Sequence, residues 1–123
     1  MIKTAEVYGP IDYERMKRAF GRANKAEKIT VDLGDAHAGY PDPASLLASG
    51  GQRVTILNKG TGTFTLLILF QDASYITLDN TELANGDVLD WDFYRLYIAN
   101  TAQAGLSVKL IVDYRVIVGV EGY

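Results

Sequence analysis

A single histidine, His37, is available to acid–base or metal chemistry in this chain of 123 residues, so any catalytic dyad or triad has to be built from it and nearby carboxylates. Asp35 precedes it by two positions and Asp42 follows in the same stretch. Few ligands in one loop make a weak set, and a solvated turn explains them as well as a reactive centre does. Asp87, Asp90 and Asp92 form a denser acidic group around Trp91. Hard cations such as calcium take several oxygen ligands, but the spacing does not match an EF-hand loop, and an exposed strand end accounts for three acids equally. Gly60-Thr-Gly62 is not a phosphate cradle, because no Gly-Lys-Ser/Thr follows and the context is strand-turn-strand. Trp91, Tyr94, Tyr97 and Tyr75 have the side chains of a sugar-stacking platform. Tyr94 and Tyr97 have opposite parity in one strand, however, so the four cannot share one face, and core or rim packing is their plainer use.

The chain is 48% apolar and 22% charged, close to globular averages, and its length fits one hydrophobic core. It has no cysteine, which removes both a disulfide framework and thiolate metal ligation. No cofactor and no metal are expected. The longest apolar run, Leu66 to Phe70, is far short of a membrane helix, and Met1 to Tyr8 lacks the apolar core of a signal peptide. Charge is unevenly placed. Residues 1–28 carry seven Lys/Arg against four acids, for +3, whereas the rest carries five against eleven, for −6, so the two parts attract each other weakly, within one chain or between copies.

An amphipathic helix is predicted between Pro10 and about Ala26. Tyr13, Met16, Ala19, Phe20 and Ala23 fall on one side at the helical period, with Arg15, Arg18, Arg22 and Lys25 opposite. Asp12 can cap its start, while Gly21 in the interior costs roughly 1 kcal/mol relative to Ala. The basic side reads as a solvated helix surface rather than a nucleic-acid or membrane contact, because acids interleave and no aromatic platform accompanies it. From Lys28 the period changes to two. Strands are expected at 28–33, 53–58, 63–70, 74–78, 88–91 and 94–99, and a long loop at 34–51 with one helical turn at 44–48. The clearest hairpin is expected across Lys59-Gly-Thr-Gly62, and a meander or Greek key follows from the order.

Two surpluses of apolar surface mark where such a domain would meet a neighbour. Val108, Leu110, Val112, Tyr114, Val116 and Val118 alternate with mostly polar residues in the last strand. Counted from Leu106 to Val120 an unbroken strand spans roughly 50 Å, against a domain only about 35 Å across. It must bend, break or project, and projection would carry Ile117 to Tyr123 onto another subunit. In the 63–70 strand, Phe64, Leu66, Ile68 and Phe70 fill one face, and Leu67 and Leu69, pointing the other way, need cover from the chain itself or from another molecule.

Val54-Thr-Ile-Leu-Asn58 with Gly60-Thr-Gly62, Leu83 to Leu89 around Asn85-Gly86-Asp87, Leu96-Tyr-Ile-Ala-Asn-Thr-Ala-Gln-Ala-Gly105 and Val108 to Val112 recur in that order in a family. Over roughly residues 53–118 the chain resembles the small β proteins of tailed-phage structural gene clusters, leaving the helix and long loop unmatched. The resemblance implies a non-enzymatic virion component, such as a capsid decoration (cement) or tail-associated protein, made in the host cytoplasm. Its partners would be itself, as a symmetric homo-oligomer such as a trimer, and a capsid or tail protein, with no direct nucleic-acid or membrane contact. The expected fold is mainly β, an antiparallel β-sandwich or barrel of jelly-roll type with one N-terminal helix: an arm and helix over 1–27 and a β domain over 28–123. Arg15, Arg18, Arg22, Leu67, Leu69, Ile117 and Tyr123 are the candidate assembly contacts. A carbohydrate- or ligand-binding module using Trp91 and nearby Tyr and Asp side chains is the alternative, and an enzyme built around His37 ranks third.

Overall fold

Alternation of apolar and polar residues dictates the strands, and the structure, a computed structural model, describes the backbone of residues 23–116 and the side chains of 25–114. In chain order the strands are β1 (Ala23–Asp32), β2 (His37–Ala38), β3 (Leu46–Ser49), β4 (Arg53–Asn58), β5 (Thr65–Leu69), β6 (Tyr75–Asp79), β7 (Val88–Leu89), β8 (Arg95–Asn100) and β9 (Ser107–Val116), with a 3-10 turn at Pro43–Ser45 before β3. They form two sheets. One has the order β1-β9-β4-β7; the other has β2-β8-β5-β6, with β3 also paired to β8. The pairings of β2, β3, β5 and β6 in the second sheet, and of β4 with β9 and β7 in the first, are antiparallel.

Residues 26–113 make one compact unit, and residues 1–25 with 114–123 make another. Of the second, 23–25 and 114–116 are described, and there the Lys25 ammonium lies 5.7 Å from the centroid of the Tyr114 ring. Among the described residues no helix is long and apolar enough to cross a membrane. The helix expected over 10–26 falls mostly outside the described residues; its last four, Ala23 to Ala26, are strand. The contacts anticipated at Arg15, Arg18, Arg22, Ile117 and Tyr123 also lie outside.

Each sheet buries one set of alternating residues. Val54 and Ile56 on β4 and Val108, Leu110 and Val112 on β9 are buried in the first; Leu66 and Ile68 on β5 and Leu96 and Ile98 on β8 in the second. Phe64, Leu33, Leu83 and Phe93 add bulk from the connections. Ladder irregularities adjust the faces. Lys109 pairs with Asn58 but Leu110 with Ile56, so Leu57 is an extra residue that bends β4. Leu47 is the corresponding extra residue on β3, since Leu46 pairs with Tyr97 and Ala48 with Leu96.

The anticipated hairpin across residues 59–62 does not form, because β4 and β5 belong to different sheets. Gly60 has the positive φ of a tight turn, +64°, but the turn serves as a crossing. Lys59 fixes it, its Nζ donating to the Asn80 and Leu83 carbonyls at 2.8 Å each. A side chain at Gly60 would meet the Ser107 carbonyl at 2.8 Å. The real hairpin is β5–β6, in continuous register from Thr65↔Asp79 to Leu69↔Tyr75. Among the described residues it is the one ladder between strands adjacent in sequence, so their order is not a meander. The anticipated long loop at 34–51 instead supplies β2 and β3, which lie end to end along one edge of β8. Its helical turn sits at 43–45 rather than 44–48.

Gly51, between β3 and β4, passes close against the core. A Cβ there would lie 2.3 Å from Phe93 Cζ and 3.0 Å from Val112 Cγ1. Gly51→Ala should therefore lower stability by about 1–3 kcal/mol through overpacking, and Phe93→Leu in the same chain should recover part of the loss. Thermal unfolding of the two variants checks this; an unshifted midpoint in Gly51→Ala would contradict the close packing.

Candidate functional site

Residues opposite one another on antiparallel strands share a face, so the register assigns the surface of the five-stranded sheet. Opposite its buried set lie three rows: Ser49, Arg95, Leu69 and Tyr75; Leu46, Tyr97, Leu67 and Thr77; Ala38, Ala99, Thr65 and Asp79. Part of this face is closed by the chain itself. The loop between β2 and β3 folds over it, with the Tyr40 ring edge-on to Tyr97 at 5.1 Å between centroids. Gly39 sits against Ala99, where a Cβ would stand 3.1 Å from the alanine methyl. Ser45 Oγ accepts from Gly39 N at 2.9 Å and donates to Asp42 Oδ2, while Asp42 Oδ1 accepts from Ala44 N, so the loop's polar groups are spent on holding its shape. Tyr97 beneath the loop is 4% exposed, and Leu69 in the neighbouring row is 8% exposed. Leu67 is half-buried.

The uncovered part is aromatic with one cation. Tyr40, Leu46, Tyr75 and Tyr94 are exposed around half-buried Arg95. The Arg95 guanidinium carbon stands 4.5 Å from the Tyr94 ring centroid, a cation–π contact that fixes the plane of the fork. Arg95 Nε is buried with no hydrogen-bond partner, and no ion pair forms to Arg95 among the described residues. Trp91, also exposed, packs edge-on to Phe70 at 6.1 Å. Sequence reasoning passed over Arg95, although a lone cation between Tyr94 and Leu96 in an otherwise apolar strand was the available signal.

Of the groups read first as chemistry, His37, Asp42, Asp87 and Asp90 are held in the fold. His37 Nδ1 donates to Asn100 Oδ1 at 2.6 Å. The Asn100 amide nitrogen in turn donates to the Leu33, Asp35 and Thr101 carbonyls, which fixes the amide's orientation. His37 thus ties β2 to the end of β8. Asp87 Oδ2 accepts from Ala84 N in the Asn85-Gly86 turn. Asp90 faces Arg53 Nε at 3.4 Å, and Arg53 also reaches Asp113. Among the described residues no three His, Asp or Glu side chains gather as a metal would require. Tyr97, being buried, cannot belong to a stacking platform, whereas Trp91, Tyr94 and Tyr75 remain open.

No family model, curated protein or solved structure matches the chain.

Two carboxyls at the ends of β6 titrate unusually. Asp72 lies below the ordinary aspartate value because the Ser74 hydroxyl and then the Ser74 N–H donate to it. Asp79 is lowered likewise by the Thr81 hydroxyl and N–H. A depressed folded-state pKa contributes stability that is present above the unfolded value and lost as pH falls through the folded one. Asp72→Ala should thus be destabilising at neutral pH, by a modest amount since the carboxylate is fully exposed, and the gap to the parent should close as pH falls from about 7 to about 3. Midpoints of thermal unfolding across that range test it; a gap of constant size would show that the Asx turn holds β6 without its charge.

Proposed function

We propose that this chain is a non-enzymatic structural subunit of a tailed-phage virion, of the capsid-decoration type, acting through protein contacts. The single observation that carries the reading is the partly uncovered outer face of the five-stranded sheet, where Tyr40, Leu46, Tyr75 and Tyr94 are exposed while His37, Asp42 and Asp87 are hydrogen-bonded within the fold. An apolar face rimmed by polar residues is how soluble proteins present a docking surface. Two antiparallel sheets, each with one buried set of residues and with the chain crossing repeatedly between them, support a sandwich of jelly-roll type as the subunit body. In this reading the basic residues Arg15, Arg18 and Arg22 and the C-terminal Ile117 to Tyr123 reach a neighbouring copy or the acidic shell, and Leu67 adds to the sheet contact. Leu69, already covered by its own chain, contributes less. Co-sedimentation of the full chain with empty shells of the phage that encodes it should show saturable binding. Reversing Arg15, Arg18 and Arg22 to Glu should weaken it about tenfold or more, since charge pairs across an interface govern encounter and specificity. A monodisperse monomer that binds no shell or tail assembly would overturn the reading.

A second reading, carbohydrate binding, is favoured by one observation: Trp91, Tyr94 and Tyr75 stay exposed, Tyr94 against a guanidinium that has no acid partner among the described residues. Aromatic faces stack on sugars, and a planar fork suits their hydroxyls or acid groups. Glycan titration followed by Trp91 fluorescence should then show a saturable change that Tyr94→Ala removes; no response across neutral and acidic glycans would discard this reading.

A further inference from the structure

Among the described residues every sheet edge except one carries a device against pairing with another chain. β7 is only two residues long. β1 bears Lys25 and Lys28. The edge made by β2 and β3 is interrupted by Pro41 and Pro43 and bulged at Leu47. Short strands, edge lysines, prolines and bulges are the usual protections. β6, Tyr75-Ile-Thr-Leu-Asp79, has none of them, and its ladder to β5 runs without irregularity. Tyr75 is 60% exposed and Ile76 37%.

The direction of its backbone groups follows from the ladder. Phe70 N donates to the Ser74 carbonyl and Asn80 N to the Phe64 carbonyl, so even-numbered residues of β6 turn their N–H and C=O toward β5. Tyr75, Thr77 and Asp79 turn theirs to the open side. Asp79 is already satisfied there: its N–H donates to Glu82 Oε1 at 3.0 Å, and its carbonyl accepts from Glu82 N at 3.0 Å. Among the described residues two donors and two acceptors remain, on Tyr75 and Thr77.

We infer that β6 pairs antiparallel with β6 of a second copy about a two-fold axis through Ile76, joining the five-stranded sheets of two chains edge to edge. This register uses all four remaining groups, because Tyr75 of each copy faces Thr77 of the other and the two residues exchange both hydrogen bonds. It places Ile76 against Ile76 of the partner as a close, non-hydrogen-bonded pair on the side of Ile68 and the core, covering the exposed isoleucines together. On the outer side it sets Tyr75 beside Thr77, an aromatic–β-branched pair of the kind that stabilises sheets. It also opposes Asp79 to Ala73 and Asp72 to Asn80, so no acid meets an acid. The neighbouring register, centred on Thr77, would oppose Tyr75 to the already satisfied Asp79 and bring Asp72 opposite Glu82. A contact of so few residues buries less than the roughly 1,200 Å² of a standard interface and should dissociate in the micromolar range or above. The inference deepens the assembly reading and rests on it for its setting, but shell binding by a strictly monomeric chain would remove the two-fold contact and leave that reading standing.

The absence of cysteine makes the test direct. Antiparallel non-hydrogen-bonded pairs bring Cα atoms to about 4.5 Å, within disulfide range. In the full chain, Ile76→Cys should cross-link into a covalent dimer under mild oxidation faster than Thr77→Cys or the exposed control Val88→Cys. Sedimentation of the parent should show a concentration-dependent dimer. Thr77→Pro removes an N–H that β5 does not use and should raise the dissociation constant about tenfold or more. No dimer up to about 1 mM, a dimer indifferent to Thr77→Pro in a protein with unchanged circular dichroism, or equal cross-linking at positions 76 and 88 would each overturn the inference. Should Thr77→Pro fail to fold, the cysteine comparison decides.

Discussion

Strand β8 must be hydrogen-bonded along both edges, and much of the described structure is arranged to satisfy that requirement. Leu96, Tyr97 and Ile98 are all buried, so an unpaired amide among them would cost a full desolvation penalty with nothing in return. β5 covers one edge in a single run. The other edge is covered by two short pieces, β2 and β3, with Gly39 to Ser45 looping outward between them. That division explains the density of local ties at the loop: Asp42 and Ser45 close its turn, and Asn100, the last residue of β8, gathers His37 and three carbonyls to hold the incoming chain. The same loop lays Tyr40 on Tyr97, which turns the middle of the outer sheet face into interior and leaves only its margins open.

This arrangement shows which parts of the fold are readable from sequence. β9 was legible because Val108, Leu110 and Val112 alternate with polar neighbours over a long run, and burial follows that alternation. β4 was legible for the same reason, and β6 and β8, to within a residue, as short apolar-rich runs bounded by turn signals. The pairing of β4 with β5 was not. Gly60 has the same positive φ in a hairpin turn as in a crossing, and what separates the two is distant in sequence: the Asn80 and Leu83 carbonyls that take up Lys59, and the Ser107 carbonyl under Gly60. β2 and β3 were missed because strands of two and four residues carry almost no period of their own. They exist because β8 needs partners. At Ala23 to Ala26 the apolar spacing fitted a helix, but β1 begins there, and membership of a sheet overrides local period.

The polar side chains that first suggested chemistry share a different fate. Asp42 and Asp87 accept from backbone N–H groups within three residues, as Asp72 and Asp79 do in turns the sequence does not single out, and so satisfy backbone groups that turns leave open, while His37 donates to the Asn100 side chain at the end of β8. A chain that passes this often between sheets has many such groups, and short polar residues are the economical way to meet them. Residue type and spacing alone do not distinguish a turn-forming aspartate from a ligand. Arg95 is the exception, since its Nε is buried without a partner and its fork is held by a ring rather than by an acid.

The same turn chemistry sets a limit on the open edge. Asp72 and Asp79 bracket β6 with Asx turns, and Ala73 holds a positive φ of 72°, unfavourable for a residue with a side chain, to make the first of them. Glu82 then occupies both backbone groups of Asp79. The strand pairs with β5 without irregularity but stops offering hydrogen bonds on its open side after Thr77. An edge with an unlimited row of free groups invites open-ended stacking. An edge with two residues' worth of them can be used up by one identical neighbour across a two-fold axis, and once it is used up nothing remains to add a third chain.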